Sequence, residues 1–171
     1  MNQTNNTKMN KQVISRRQLE KSLGEFNSKN GAKEVEQLIK QGGLVLRTNP
    51  NPESKSTTNY SGQNPAYLTL DAIQYITDKL LVKHLMVDLP SVDREEDEGK
   101  LSVHCYFWNF DKQNQRPKTG SILSQNTITE FCWIKSSIPD GIYVCYLEIA
   151  PFNCDAAPSR PILYPVNETM H

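Results

Sequence analysis

The segment from Val82 to Leu89 constrains the fold of this chain more than any other. It is apolar on both faces apart from Lys83, His84 and Asp88. A strand of that composition has to be covered on both sides, so it reads as an inner strand of a layered sheet. Just before it, Leu70 to Leu80 carries Ala72, Ile73, Ile76 and Leu80 at helical spacing, with Thr69 as a good N-cap. The same order occurs once upstream. Ala32 to Lys40 puts Val35, Leu38 and Ile39 on one helix face, Gly42 and Gly43 stop it, and Leu44 to Thr48 is a short apolar run of strand type. Helix followed by inner strand, twice over, predicts a mixed α/β fold.

The flanks are simpler. Residues 1–12 are polar and short of hydrophobes, which predicts a disordered leader. Ser15-Arg16-Arg17-Gln18 matches a capping box, and Leu19, Leu23 and Phe26 continue at helical spacing, with Gly24 offering an early stop. Residues 49–65, rich in Pro, Asn and Ser, read as a loop. Thr127 to Ile134 and Gly141 to Ala150 are β-rich, and the turn signal Ile138-Pro139-Asp140-Gly141 between them predicts a hairpin. Ala156 to Tyr164 holds Pro158 and Pro161 and reads as an extended edge segment. One domain over 13–166, with a tail at 167–171, suits a chain of 171 residues.

Charge narrows the function classes. Lysine plus arginine and aspartate plus glutamate number 19 each. That balance argues against nucleic acid as a main partner, because such binding rests on clustered cations. Cys105, Cys132, Cys145 and Cys154 show no C-x-x-C pair and read as free thiols of a cytoplasmic protein. No window approaches the ~18 apolar residues of a membrane span.

Candidate chemistry is concentrated after the inner strand. Asp88, Ser91 and Asp93 lie just past a buried strand end, where ligands gather in α/β sheets. They read as residues that shape a loop or support a metal ligand. Glu95 to Glu98 lacks the ligand order of a calcium loop and reads as solvated. Of three histidines, His171 is terminal and His84 reads as structural within its strand. His104 precedes the aromatic run Tyr106, Phe107 and Trp108, and is either a satisfied core histidine or a ligand. Glu130, in a strand pattern of alternating polarity, is either an edge charge or a ligand.

Several segments taken together resemble the C-terminal portion of the cyclase family of metal-dependent hydrolases, which includes the bacterial-type kynurenine formamidases. They are Leu44 to Pro50, Asn59-Tyr60-Ser61 with Asn64 to Thr69, Val82 to Asn109, Thr127 to Glu130, Ile138 to Tyr143, Leu147 to Phe152 and Asp155 to Tyr164. In order and spacing the resemblance covers about residues 13 to 166.

The resemblance implies a swivelling β/β/α domain with a mixed sheet, and a divalent metal, zinc or manganese. It implies an arylformamidase-like hydrolysis of N-formylkynurenine to kynurenine and formate, in tryptophan catabolism. His104 and Glu130 correspond to the family's later metal ligands. Asp88, Ser91 and Asp93 would support the site, and Tyr106, Phe107 and Trp108 would line a pocket for an aromatic ring.

The family's H-x-G-T-H-x-D motif is absent from this sequence. The expected reading is therefore an N-terminally incomplete member. Its partners would be a small-molecule substrate and either further copies of itself or a complementing N-terminal chain. The alternative is a non-catalytic remnant or interaction subunit that keeps the scaffold but not the full metal site.

Overall fold

The computed structural model describes residues 13–118 and 124–166; the expected leader and tail lie outside the described residues. The fold is mixed α/β. Strand β1 (Val13–Ile14) leads into helix α1 (Arg16–Asn30) and helix α2 (Ala32–Gln41), then β2 (Gly43–Leu46). After a loop with a 3-10 turn at Glu53–Thr57 come β3 (Tyr67–Leu68), α3 (Leu70–Gln74) and a π-helical continuation over Tyr75–Lys79. Strand β4 (His84–Val87) and helix α4 (Ser102–Phe107) follow. The remaining elements are all β: β5 (Phe110–Asp111), β6 (Arg116–Pro117), β7 (Thr127–Thr129), β8 (Tyr143–Ile149) and β9 (Ser159–Pro165).

At the centre stands the predicted inner strand. β4 lies between β2 and β7, parallel to both, with Leu44 opposite Leu85 and Leu85 opposite Ile128. Leu85 and Val87 point into the main core, where they meet Leu68, Ala72, Ile73, Ile76, Val92 and Phe107. The stripe expected on the 70–80 helix is buried along its whole length. Thr69 does stand at that helix's start, but its hydroxyl donates to the Ile14 carbonyl at 3.2 Å and so ties the helix to β1. Parallel and antiparallel pairing occupy separate small sheets.

Three local expectations are corrected. Helix α1 does not stop at Gly24; it runs to Asn30 and ends at Gly31, whose φ of 83° glycine adopts at little cost. At its start Gln18 Oε1 accepts from the Ser15 amide at 2.8 Å, as the capping box requires. Leu38, expected on the buried face of α2, is 43% exposed and lines an open cleft. The third correction concerns the hairpin.

β7 does not pair with the strand after it. It joins β4, and the Phe131 and Cys132 amides beyond it donate to Leu89 and Val87 carbonyls at 2.8 and 2.9 Å. The turn at 138–141 is instead pinned by Arg47, which donates to the Lys135 and Ile138 carbonyls and to Asp140. The antiparallel ribbon is β8 with β9, from Tyr143–Pro165 to Ile149–Ser159. The turn signal by itself predicts local pairing, whereas the open β4 edge takes β7 as its partner. The segment holding His104 forms the short helix α4.

Among the described residues, no helix is long and apolar enough to cross a membrane.

Candidate functional site

Three residues from three segments converge at the carboxyl end of β4. Asp93 follows the strand in the loop 88–93 and is 5% exposed. Its carboxylate accepts the backbone amides of Val103 and His104 at 2.8 and 3.1 Å, which fixes the first turn of α4. The same carboxylate meets His104 Nδ1 at 2.7 Å. Ser91 Oγ accepts from the Asp93 amide at 3.1 Å and steadies the loop.

On its other side, the imidazole presents Nε2 to Glu130 Oε1 at 3.4 Å. Glu130 sits immediately after β7, and its Oε1 also accepts from the Val92 amide at 2.8 Å. Trp108 packs obliquely on the ring, with centroids 5.0 Å apart, and its Nε1 donates to the Asn126 carbonyl at 3.0 Å. The imidazole is thus gripped between two carboxylates and an indole.

Backbone strain brackets the group. Leu101, just before α4, and Phe131, just after Glu130, both hold left-handed φ values, 49° and 57°. For residues with a Cβ this conformation costs about 1–2 kcal/mol each. The bend at Phe131 leaves its ring 65% exposed, while the preceding Glu130 carboxylate reaches the Val92 amide.

The electrostatics follow from the packing. Burial pushes the His104 pKa down, but the hydrogen bonds to Asp93 and Glu130 and the charges of both outweigh it, raising it from 6.5 to about 9. Burial raises Asp93, yet its bonds to His104 and to the two α4 amides win and hold it below the ordinary value. Without metal, His104 is an imidazolium at neutral pH.

The remaining sequence candidates separate into different roles. Asp88 faces away from this group: its carboxylate accepts from Lys55 Nζ at 2.6 Å, from the Thr48 amide at 2.8 Å and from the Thr48 hydroxyl at 3.0 Å. Lys55 spends its other bonds on Thr48, so the pair is closed on itself. Phe107 is core, and Tyr106 donates its hydroxyl to Asp78 at 2.6 Å. Of the three aromatics only Trp108 contacts His104 in a ring pair. His84 is structural, its Nδ1 bonded to the Thr127 hydroxyl at 2.9 Å. Glu95 is exposed, as the solvated reading has it, and its carboxylate also accepts the Gly62 and Asn64 amides, which ties it to the 49–65 loop. Lys55 was not singled out in the sequence, because a lysine in a polar loop carries no mark of burial.

A cleft of about 1990 Å³ opens beside the site, but not at it. Its wall includes Lys55, Asp88, Leu89 and Pro90 and all of β2, the edge strand of the central sheet. Neither His104 nor Glu130 lines it. The convergence of ionisable groups marks the candidate site more specifically than the void does.

His104 and Glu130 suit a divalent metal in type and in spacing. Tetrahedral ligands at zinc lengths of ~2.0–2.2 Å stand about 3.4 Å apart, and Nε2 and Oε1 are 3.4 Å apart. Asp93 on Nδ1 is the partner a metal-bound histidine usually has. The number of ligands falls short. Among the described residues no group of three His, Cys, Asp or Glu side chains could hold a metal ion, whereas a catalytic zinc takes about three protein ligands. Compared with known families and curated proteins, the chain matches none.

Proposed function

We propose that this chain supplies part of the metal centre of a cyclase-type hydrolase, with His104 and Glu130 as two ligands and Asp93 orienting the imidazole. The single observation that carries this reading is the 3.4 Å approach of His104 Nε2 to Glu130 Oε1, with Asp93 on the opposite nitrogen. The substrate class that goes with the resemblance is an aryl formamide such as N-formylkynurenine, and the metal is zinc or manganese. Because two ligands are too few, no hydrolytic step is assigned to this chain alone.

The missing donors come, on this reading, from a complementing polypeptide bearing the H-x-G-T-H-x-D segment. The outer edge of β2 along the cleft, which pairs with no strand among the described residues, is suited to receive it, since a free strand edge is a template for further pairing. Self-association of this chain would cover the same edge. A cytoplasmic setting agrees with four cysteines that are all free.

A second reading has its own support. The absence of a third donor among the described residues favours a scaffold that carries no metal and serves as an interaction subunit.

The test is complementation. The chain is mixed with a polypeptide carrying the H-x-G-T-H-x-D segment and assayed for formate release from N-formylkynurenine with zinc or manganese. Hydrolysis in the mixture alone, abolished by His104→Ala or Glu130→Gln, is the expected result. A mixture that binds no metal and releases no formate leaves the scaffold reading standing and removes the first.

A further inference from the structure

The β8–β9 ribbon has one covered face and one bare face. Side chains alternate along a strand, and Cys145 marks the inward side of β8. Its Sγ lies 4.0 Å from the Sδ of Met86, which is buried on β4. Val144, Tyr146 and Glu148 therefore face away from the body of the molecule. The register sets them in cross-strand rows, with Val144 opposite Tyr164, Tyr146 opposite Ile162, and Glu148 opposite Arg160. Ile142 and Val166 add a further row, joined by a hydrogen bond of 3.3 Å from the Val166 amide to the Ile142 carbonyl. Val144, Tyr146 and Tyr164 are each more than half exposed. Glu148 and Arg160 end this apolar strip and are exposed too. Among the described residues, neither makes an ion pair or a side-chain hydrogen bond.

We infer that this face is covered by the same face of a second copy, across a two-fold axis running along the ribbon between β8 and β9. Packed sheet faces lie about 10 Å apart with their strands nearly aligned, and a two-fold interface joins a patch to itself. An axis along the strands keeps each row level and exchanges its two sides. Val144 then meets the partner's Tyr164, Tyr146 meets the partner's Ile162, and Glu148 meets the partner's Arg160. Both charges gain an opposite charge, and each apolar row lies on an apolar row. An axis across the strands would instead set Glu148 and Arg160 against the Ile142–Val166 row and bury charge on hydrocarbon, which is costly. The strip is therefore self-complementary in one orientation only. Residues 167–171 hold a single apolar side chain, Met170, too little to cover the strip from within the chain. The surface is separate from the His104 site and from the β2 edge, so the inference does not rest on the metal reading above.

The experiment is analytical ultracentrifugation of the full chain, kept reduced. High micromolar concentration is used, because one ribbon face is smaller than a standard interface and holds weakly. The parent should sediment as a dimer. Glu148→Arg alone, or Arg160→Glu alone, brings like charges together across the axis and should weaken self-association by about tenfold or more. Mixed in equal amounts, the two variants should form a heterodimer, since one chain then presents only positive and the other only negative charge at that row. Circular dichroism checks that each variant is folded. Should one misfold, Glu148→Gln with Arg160→Gln removes both contacts and carries the same expectation of weaker association. A parent that stays monomeric overturns the inference and leaves the face to a different protein. Charge variants that dimerise like the parent, or a mixture that stays monomeric, overturn it as well.

Discussion

Asp93 Oδ2 lies 2.7 Å from His104 Nδ1, and the same carboxylate holds the Val103 and His104 amides. One acid therefore fixes both the start of α4 and the direction of the imidazole. Asp93→Asn keeps much of the shape and removes the charge. Breaking a buried pair at one partner costs about 3–5 kcal/mol, so a loss of unfolding free energy of that size is expected from urea denaturation. Imidazole resonances should show the His104 pKa falling well below about 9. A titration still centred near that value would mean another group holds the proton.

Stability should vary with pH in a defined direction. The folded His104 pKa is raised to about 9 from 6.5, so its contribution is complete below the unfolded value and disappears as pH rises through the folded one. The size of that shift corresponds to roughly 3 kcal/mol. Asp93 is lowered, so its contribution is present above the ordinary aspartate range and is lost as pH falls through its folded value. Denaturation midpoints should peak in mildly acidic buffer and decline between neutrality and pH about 9. In His104→Gln the alkaline decline should disappear.

Metal binding should show the opposite slope. A divalent ion at Nε2 has to displace the imidazolium proton, so affinity should rise about tenfold per pH unit until the His104 pKa of about 9 is passed. Equilibrium dialysis of zinc against the chain mixed with the complementing polypeptide, at several pH values, measures this. His104→Ala should remove the slope as well as the binding; zinc retention that ignores pH would place the ion elsewhere.

The Lys55–Asp88 pair gives a purely structural prediction. The Lys55 side chain is 12% exposed and that of Asp88 is fully buried. Lys55→Met leaves a buried carboxylate held only by Thr48, at a cost of about 3–5 kcal/mol. Adding Asp88→Asn should recover part of that loss, because the two residues act as a unit. Strictly additive urea-denaturation losses would contradict the coupling.

The outer face of β8 predicts self-association. Val144 and Tyr146 are 61% and 56% exposed, beside Tyr164 on β9. Val144→Thr with Tyr146→Lys should shift sedimentation toward monomer and leave the circular dichroism unchanged, because Cys145 and Leu147 still face inward. A parent chain that is monomeric at high concentration would rule out this surface as an interface.

The contrast between β4 and β7 explains how much of the fold was legible. Val82 to Leu89 announced a central strand because two-sided burial demands an almost continuous apolar run. The 70–80 helix declared its buried stripe for the same reason, since burial has a period that composition records. β7 had no such mark. Its partner depended on which strand edge was left open, a property of the assembled sheet rather than of residues 127–134.

For the site, types of residue were visible and their meetings were not. His104 and Glu130 were named from the resemblance, and the structure brings them within 3.4 Å. Asp88 and Asp93 looked alike in the loop, yet one pairs with Lys55 and the other with His104.

By itself the sequence determined the mixed α/β class, the buried stripes and the absence of the histidine-rich motif, because local patterning and composition are written residue by residue. Only the tertiary structure decided which acid grips the imidazole, which face Met86 shows to Cys145, and that β8 pairs with β9. Those outcomes depend on distances between segments far apart in the chain, and such distances exist only once the layers have packed.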